Sequence, residues 1–189
     1  MDNTSTQPQN PEQEEVITIS KKEFLSNYTG IQGGYKYEWN NGIVEKSKDM
    51  SQYVNGVFVR ILQTFAHTEA YRSGGGIISQ VRMSLPPNQV RQPEIAFYTK
   101  EMIMKESKES RASWVAEIVA APDHNERVAG RVAEYFNGGA QSVWIILPES
   151  KQVEVFTAPA QKTTHSGPSV CSAAPAIDGL EIPAEQLFA

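Results

Sequence analysis

The chain is poor in the residues that build cross-links and metal centres. Its 189 residues include one cysteine, Cys171, so no disulfide can form within the chain. The three histidines are scattered and show no metal-ligand spacing. No apolar run reaches the roughly 18 residues that a membrane helix needs, and the polar, acidic N-terminus does not resemble a signal peptide. These absences predict a cytoplasmic protein with a reduced thiol and no membrane segment.

An excess of positive charge is also missing. The chain has 17 lysines and arginines against 22 aspartates and glutamates, which gives a formal net charge of −5. A protein with this balance does not attract nucleic acid over its whole surface. Contact with nucleic acid therefore requires a local basic patch, a metal ion or a groove formed by several subunits.

The sequence pattern predicts a tail followed by one domain. Residues 1–15 lack apolar content and are predicted to be disordered. Residues 16–189 are predicted to form a single α/β domain, with a mixed β-sheet flanked by helices. Ser20 and Glu23 have the spacing of a capping box at the start of a short helix. The segment 159–176 is rich in Ala, Pro, Thr and Ser and is predicted to be a loop.

Two segments of the first half carry specific local signals. Asn41-Gly42 favours the primed turn that matches strand twist, so "YKYEWNNGIVEKS" is predicted to be a β-hairpin. Apolar residues recur at three- and four-residue steps through residues 50–65, which predicts a long helix with that stripe in the core. The apolar segment 77–85 is predicted to be one strand.

The second half contains a β–α–β pattern over residues 114–147. The strand "WVAEIVAA" is followed by a helix that ends near Asn137 and by the strand "SVWIIL". Such a unit predicts a right-handed crossover between parallel strands. Alternation along the first strand places Val115, Glu117 and Val119 on one face. Glu117 therefore shares a face with two valines.

Three glutamates, Glu38, Glu94 and Glu117, are the candidate site residues. A buried, ionised carboxylate costs several kcal/mol unless it is neutralised, paired or bound to a metal. Glu94 opens the strand "PEIAFYT", and Glu38 lies in the first hairpin strand. Carboxylates on neighbouring strands suit Mg²⁺, which takes one or two of them together with waters and a substrate phosphate. From the residues alone, a metal site and solvated acids at strand ends both remain open.

The order of these segments resembles the Uma-type restriction endonucleases, a branch of the PD-(D/E)XK nuclease superfamily. The resemblance extends from Val16 through the hairpin "YEWNNGIV", the long helix, Pro93-Glu94, "EIVAAP", the helix with Arg131 and Tyr135, and "GAQSVWIIL" to "GLEIPAEQLF". It implies a restriction-endonuclease-like fold.

The resemblance also implies a function and roles for four residues. Glu94 and Glu117 would bind Mg²⁺, with Mn²⁺ as a substitute, and Glu38 would be an auxiliary acid. Arg131 stands where the family has a lysine. The implied protein is a Mg²⁺-dependent endonuclease that hydrolyses DNA phosphodiester bonds. A homodimer is expected, because cutting two strands needs two centres.

The chain departs from the family pattern at two of these positions. The usual Pro-Asp is Pro93-Glu94, which adds a methylene to the metal-binding side chain. Arg131 stays protonated, so it cannot help to deprotonate a water as a lysine can, although it can contact phosphate. The alternative hypothesis is therefore a nuclease fold that has lost catalysis and binds nucleic acid or protein. In that case Arg131 would neutralise Glu117 as a structural ion pair.

Structural interpretations of the same residues remain open at this level. Glu38 could be a solvated hairpin residue, and Arg131 could form a weak surface pair with Glu134. Tyr135 fits a core position better than a stacking platform for nucleic acid. Asp123 is predicted to be a helix cap.

Overall fold

The computed structural model describes residues 16–28, 31–48, 51–105, 111–119 and 126–189. The predicted tail and the predicted cap Asp123 lie outside these ranges. The helices are α1 (Lys21–Asn27), α2 (Ser51–Phe65), α3 (Glu69–Arg72), α4 (Lys100–Met104) and α5 (Glu126–Asn137), and a 3-10 helix covers Ala184–Phe188. The strands are β1 (Ile31–Gln32), β2 (Tyr35–Asn40), β3 (Ile43–Lys48), β4 (Gly76–Ser79), β5 (Met83–Leu85), β6 (Gln89–Arg91), β7 (Ile95–Tyr98), β8 (Trp114–Ile118), β9 (Ser142–Leu147), β10 (Gln152–Ala158), β11 (Gln161–Ser166), β12 (Val170–Ser172) and β13 (Glu181–Pro183).

These strands form two large sheets and one small one. The first sheet has five strands in the order β1-β2-β6-β5, with β3 paired to β2. The second sheet has six strands in the order β11-β10-β9-β8-β7-β4. Its β8 and β9 are parallel and joined through α5, as the β–α–β pattern predicted, while its other pairs are antiparallel. Strands β12 and β13 pair with each other. The domain is therefore a mixed α/β structure.

Helices cover both faces of the second sheet. On β8, Trp114, Ala116 and Ile118 share a core cluster with the apolar stripe of α2. Val115 lies in the other cluster, with Val128 and Val132 of α5 and other residues. The alternation predicted for β8 is thus confirmed, and the face that carries Glu117 is the face covered by α5. None of the described helices is long and apolar enough to span a membrane.

The predicted hairpin is confirmed. Asn41 and Gly42 have φ values of 49° and 100°, the left-handed conformations that a primed turn requires. β2 and β3 pair in register, with Glu38 opposite Glu45. The capping box of Ser20 and Glu23 is also present, at the start of α1.

One predicted strand and one predicted loop were wrong. The segment 77–85 is not one strand, because the chain leaves the second sheet after β4 and enters the first sheet at β5. The break falls at Gln80, whose φ is 55°. The segment predicted as a loop, 159–176, contains β11 and β12. Strand β11 is a mostly exposed edge strand whose one partner among the described strands is β10, so it needs no apolar alternation and carries none.

Candidate active site

Four segments converge where the first sheet, the second sheet and α5 meet. β2 carries Lys36 and Glu38 at alternate positions, so both point to its buried side. The link from β6 to β7 passes from the first sheet to the second and carries Glu94. β8 contributes Glu117, and α5 contributes Arg131. Sequence-distant residues meet here because the chain crosses between sheets at this point.

Glu94 and Glu117 converge on the ammonium of Lys36. Nζ of Lys36 lies 2.5 Å from Oε1 of Glu94 and 3.7 Å from Oε2 of Glu117. It also donates a hydrogen bond of 3.1 Å to the main-chain oxygen of Gln92. The other oxygen of Glu94, Oε2, accepts from the main-chain N–H of Ile118 at 3.3 Å. Lys36, Glu94 and Glu117 are all buried.

Arg131 enters the same cluster from α5. Its Nη2 lies 2.6 Å from Oε2 of Glu38, and its Nη1 lies 3.8 Å from Oε1 of Glu117. One helical turn further on, the hydroxyl of the buried Tyr135 donates to the same oxygen of Glu117. Tyr135 is therefore a core residue, as expected, and it also holds the carboxylate. The guanidinium lies between Glu38 and Glu117.

Arg91 on β6 connects the site to α5 and β3. Its Nε and Nη2 bind the two carboxylate oxygens of Glu134 at 2.6 and 2.9 Å. Its Nη1 contacts Glu45 and lies 3.5 Å from Oε2 of Glu38. The predicted surface pair of Arg131 with Glu134 is thus not formed, because both carboxylate oxygens of Glu134 bind Arg91 instead. The interpretation of Glu38 as solvated is also wrong, since its exposure is 1%.

Charge and burial set the protonation of the acidic pair. Burial and the charge of Glu117 raise the pKa of Glu94 well above its usual range. Burial also opposes ionisation of Glu117, but Lys36, a hydrogen bond with Glu94 and Arg131 together outweigh it and lower the pKa of Glu117 to about 2. Burial acts against the charged form of Lys36, and the surrounding carboxylates outweigh it and raise its pKa. The two pKa values are therefore shifted in opposite directions, so that a proton on the pair is held by Glu94 in preference to Glu117.

The donor set fits a hard divalent cation. The oxygens of Glu94, Glu117 and the main chain at Gln92 face one point, and Mg²⁺ prefers such oxygen ligands. Among the described residues, the ion pairs of this cluster join five carboxylates to three cations. The acids are Glu38, Glu45, Glu94, Glu117 and Glu134, and the cations are Lys36, Arg91 and Arg131. Over the same ranges no group of three or more His, Cys, Asp or Glu side chains could hold a metal. The protein would supply two carboxylates, and water or substrate would complete the shell.

Comparisons with known proteins agree with this architecture. The model of the Uma2 family, described as "Putative restriction endonuclease", matches residues 22–185. The chain belongs to this family. A crystal structure from Anabaena variabilis ATCC 29413, titled a "putative nuclease belonging to DUF820", is similar to the chain with a TM-score of 0.73 and 16% identity, over 90% of this chain and 97% of that one. At this identity the likeness supports the restriction-endonuclease-like fold. No curated protein matches the chain.

Membership of the Uma2 family confirms the family prediction, and the fold brings all four predicted site residues together. Their roles in metal binding and catalysis stay predictions. Sequence reasoning missed Lys36 and Arg91. A signal for Lys36 was present in β2, where Lys36 and Glu38 alternate with aromatic residues. Two charges on one side of such a strand indicate that this side faces either solvent or a buried polar cluster. Because both side chains are buried, it faces a polar cluster.

Proposed function

We propose that this Uma2-family protein is a Mg²⁺-dependent endonuclease that hydrolyses phosphodiester bonds in DNA. The family description supports a nuclease. The observation that carries the proposal is the convergence of Glu94, from the link before β7, and Glu117, from β8, on one cation position. A cytoplasmic location and a homodimer are part of the same proposal. The homodimer is expected because two centres are needed to cut two strands.

Each site residue has a proposed role that follows from its contacts. Glu94 and Glu117 would hold Mg²⁺ or Mn²⁺, which supplies an activated water and stabilises charge on the phosphate. Arg131 would contact the phosphate, since its planar guanidinium suits phosphate oxygens. Glu38 acts as an orienting acid, because its oxygens are engaged by Arg131 and by the N–H of Gln92.

One observation favours the alternative hypothesis of a decayed nuclease that binds nucleic acid or protein. Each acid of the pair already faces a protein cation, as Lys36 does for Glu94 and Arg131 for Glu117. Glu38 also holds Arg131 at 2.6 Å. A site closed by its own ion pairs needs no metal for charge balance.

A plasmid-nicking assay with Mg²⁺ and with Mn²⁺ separates these hypotheses. We expect the wild-type protein to nick and Glu117→Gln to lose the activity. Glu154→Gln is the matched control, since Glu154 is also buried and paired with a lysine, Lys162, on the distant pair β10–β11. Its activity should stay at the wild-type level. If the wild-type protein is inactive with both metals and Arg131→Lys gains activity, the natural site is decayed.

A further inference from the structure

Lys36 lies at the point where the proposed function places the metal ion. Its Nζ contacts one oxygen of Glu94 at 2.5 Å, one oxygen of Glu117 at 3.7 Å and the main-chain oxygen of Gln92 at 3.1 Å. These are the two carboxylates and the carbonyl that make up the donor set for a hard cation. An ammonium group therefore fills a site made of metal-type ligands.

Because the site is buried, the Lys36 ammonium and a metal ion cannot occupy it at the same time. Side-chain exposure is 6% for Lys36, 6% for Glu94 and 1% for Glu117, so the ammonium does not share its oxygens with bulk solvent. An ion that binds the same oxygens has to take the place of the ammonium. Two positive groups a few ångströms apart would also repel each other strongly in such a setting.

We propose that the Lys36 ammonium is a built-in competitor for the metal, and that a divalent cation binds Glu94 and Glu117 only by displacing it. This inference rests on the proposed function, because it takes the acidic pair as the metal site. Without metal, Lys36 holds the two carboxylates together. With metal, the ammonium is released from them.

Displacement also connects metal binding to substrate. The released ammonium needs a new anion, and the DNA phosphate is the anion that the proposed reaction brings to the site. Arg131 keeps its partner Glu38 throughout, since Glu38 is not in the metal set. Lys36 is thus the cation that metal binding makes available.

Calorimetric titration with Mn²⁺ tests the competition. Lys36→Met removes the charge and keeps much of the side-chain volume. We expect the variant to bind Mn²⁺ about tenfold or more tightly than the wild-type protein, because the competing charge is gone. Its melting temperature without metal should be lower, because the carboxylates lose their counter-ion. Lys22→Met, at an exposed position of α1, is the control and should match the wild-type protein in both measurements.

The possible outcomes separate the two proposals. If the wild-type protein binds Mn²⁺ and a Lys36→Met protein with a cooperative melting transition above the titration temperature binds it equally or more weakly, displacement is wrong and the metal site stands. Merely structural damage would also weaken binding, so tighter binding cannot arise from it. If only Lys36→Met binds Mn²⁺, displacement is supported. If neither protein binds it, both proposals fail.

A measurement on the wild-type protein covers the case in which Lys36→Met does not fold. With ¹⁵N-labelled lysine, the buried ammonium should give an NMR signal protected from exchange with solvent. Saturating Mg²⁺ should shift that signal or remove its protection. An unchanged signal at a Mg²⁺ concentration that calorimetry shows to be saturating would overturn the proposal.

Discussion

At the scale of single residues, Glu117 stays ionised in the core because each of its oxygens has a partner. Oε1 accepts from the hydroxyl of Tyr135 and lies 3.8 Å from Arg131, while Oε2 faces Lys36 at 3.7 Å. Hydrogen bonds to an ionised group are about twice as strong as neutral ones. This carboxylate, which shares a strand face with two valines, is therefore stabilised by neighbours from α5 and β2.

The hydroxyl of Tyr135 should contribute measurably to stability. Tyr135→Phe removes a buried donor to an ionised carboxylate, so we expect the free energy of unfolding in urea to fall by about 1.5–3 kcal/mol. Tyr98→Phe is the matched control, because the buried hydroxyl of Tyr98 has no hydrogen-bond partner among the described residues. Its removal should be neutral or slightly stabilising. Equal losses in the two variants would show that the bond to Glu117 contributes nothing.

The protonation of the acidic pair predicts a pH dependence of stability. Burial and the charge of Glu117 raise the pKa of Glu94, so the fold keeps a proton that the unfolded chain loses above the usual glutamate range. The free energy of unfolding of the metal-free protein should therefore fall as pH rises from the usual glutamate range up to the pKa of folded Glu94. The contribution of Glu117 to the free energy of unfolding changes with pH in the opposite direction. Its pKa is lowered to about 2, so its contribution is lost as pH falls toward that value.

Glu94→Gln isolates the first effect. Glutamine cannot ionise, so the stability of the variant relative to the wild-type protein should rise between about pH 5 and about pH 8. Urea unfolding with a chelator present measures this difference at each pH. A difference that is the same at both pH values would mean that Glu94 does not keep its proton in the fold.

At the scale of elements, the end of α5 must approach β5 closely. A Cβ at Gly138 would lie 2.5 Å from Cδ2 of Leu85 and 3.1 Å from the main-chain oxygen of Tyr135. Gly138→Ala should therefore lower the free energy of unfolding by about 1–3 kcal/mol. Gly130→Ala, in the exposed middle of the same helix, meets nothing within 4 Å. It should raise stability by about 0.5–1 kcal/mol. A stabilised Gly138→Ala would contradict the close packing of α5 on β5.

Elements were predictable where a local signal determines them. Asn41-Gly42 specifies its turn by its own backbone preference, and the stripe of α2 follows from helical spacing. Leu62, a member of that stripe, is 38% exposed, because the width of the buried face depends on what packs against it. The break at Gln80 could not be predicted, since an apolar segment gives no sign that its two halves join different sheets.

At the scale of the whole molecule, Arg91 ties the first sheet to α5. It is 2% exposed, and its guanidinium engages Glu134 on α5 as well as Glu38 and Glu45. Arg91→Met leaves these carboxylates without that cation. We expect the free energy of unfolding in urea to fall by about 3–5 kcal/mol.

An exposed arginine provides the comparison for Arg91. Arg72 pairs with Glu69 at 2.8 Å, but the two side chains are 60% and 73% exposed. Arg72→Met should cost no more than about 1 kcal/mol. Similar losses for both arginines would show that the buried cluster does not hold the sheets and the helix together.

The sequence by itself determined the family order of segments, the hairpin turn, the parallel β–α–β unit and the acids that form the candidate site. These features follow from local periodicity, from turn chemistry and from the resemblance to the family. Only the tertiary structure decided that Lys36 lies between Glu94 and Glu117, that Glu38 is buried, and that Glu134 pairs with Arg91. The physical reason is that the partner of a buried charge is chosen by distance across sheets, and sequence spacing does not report that distance.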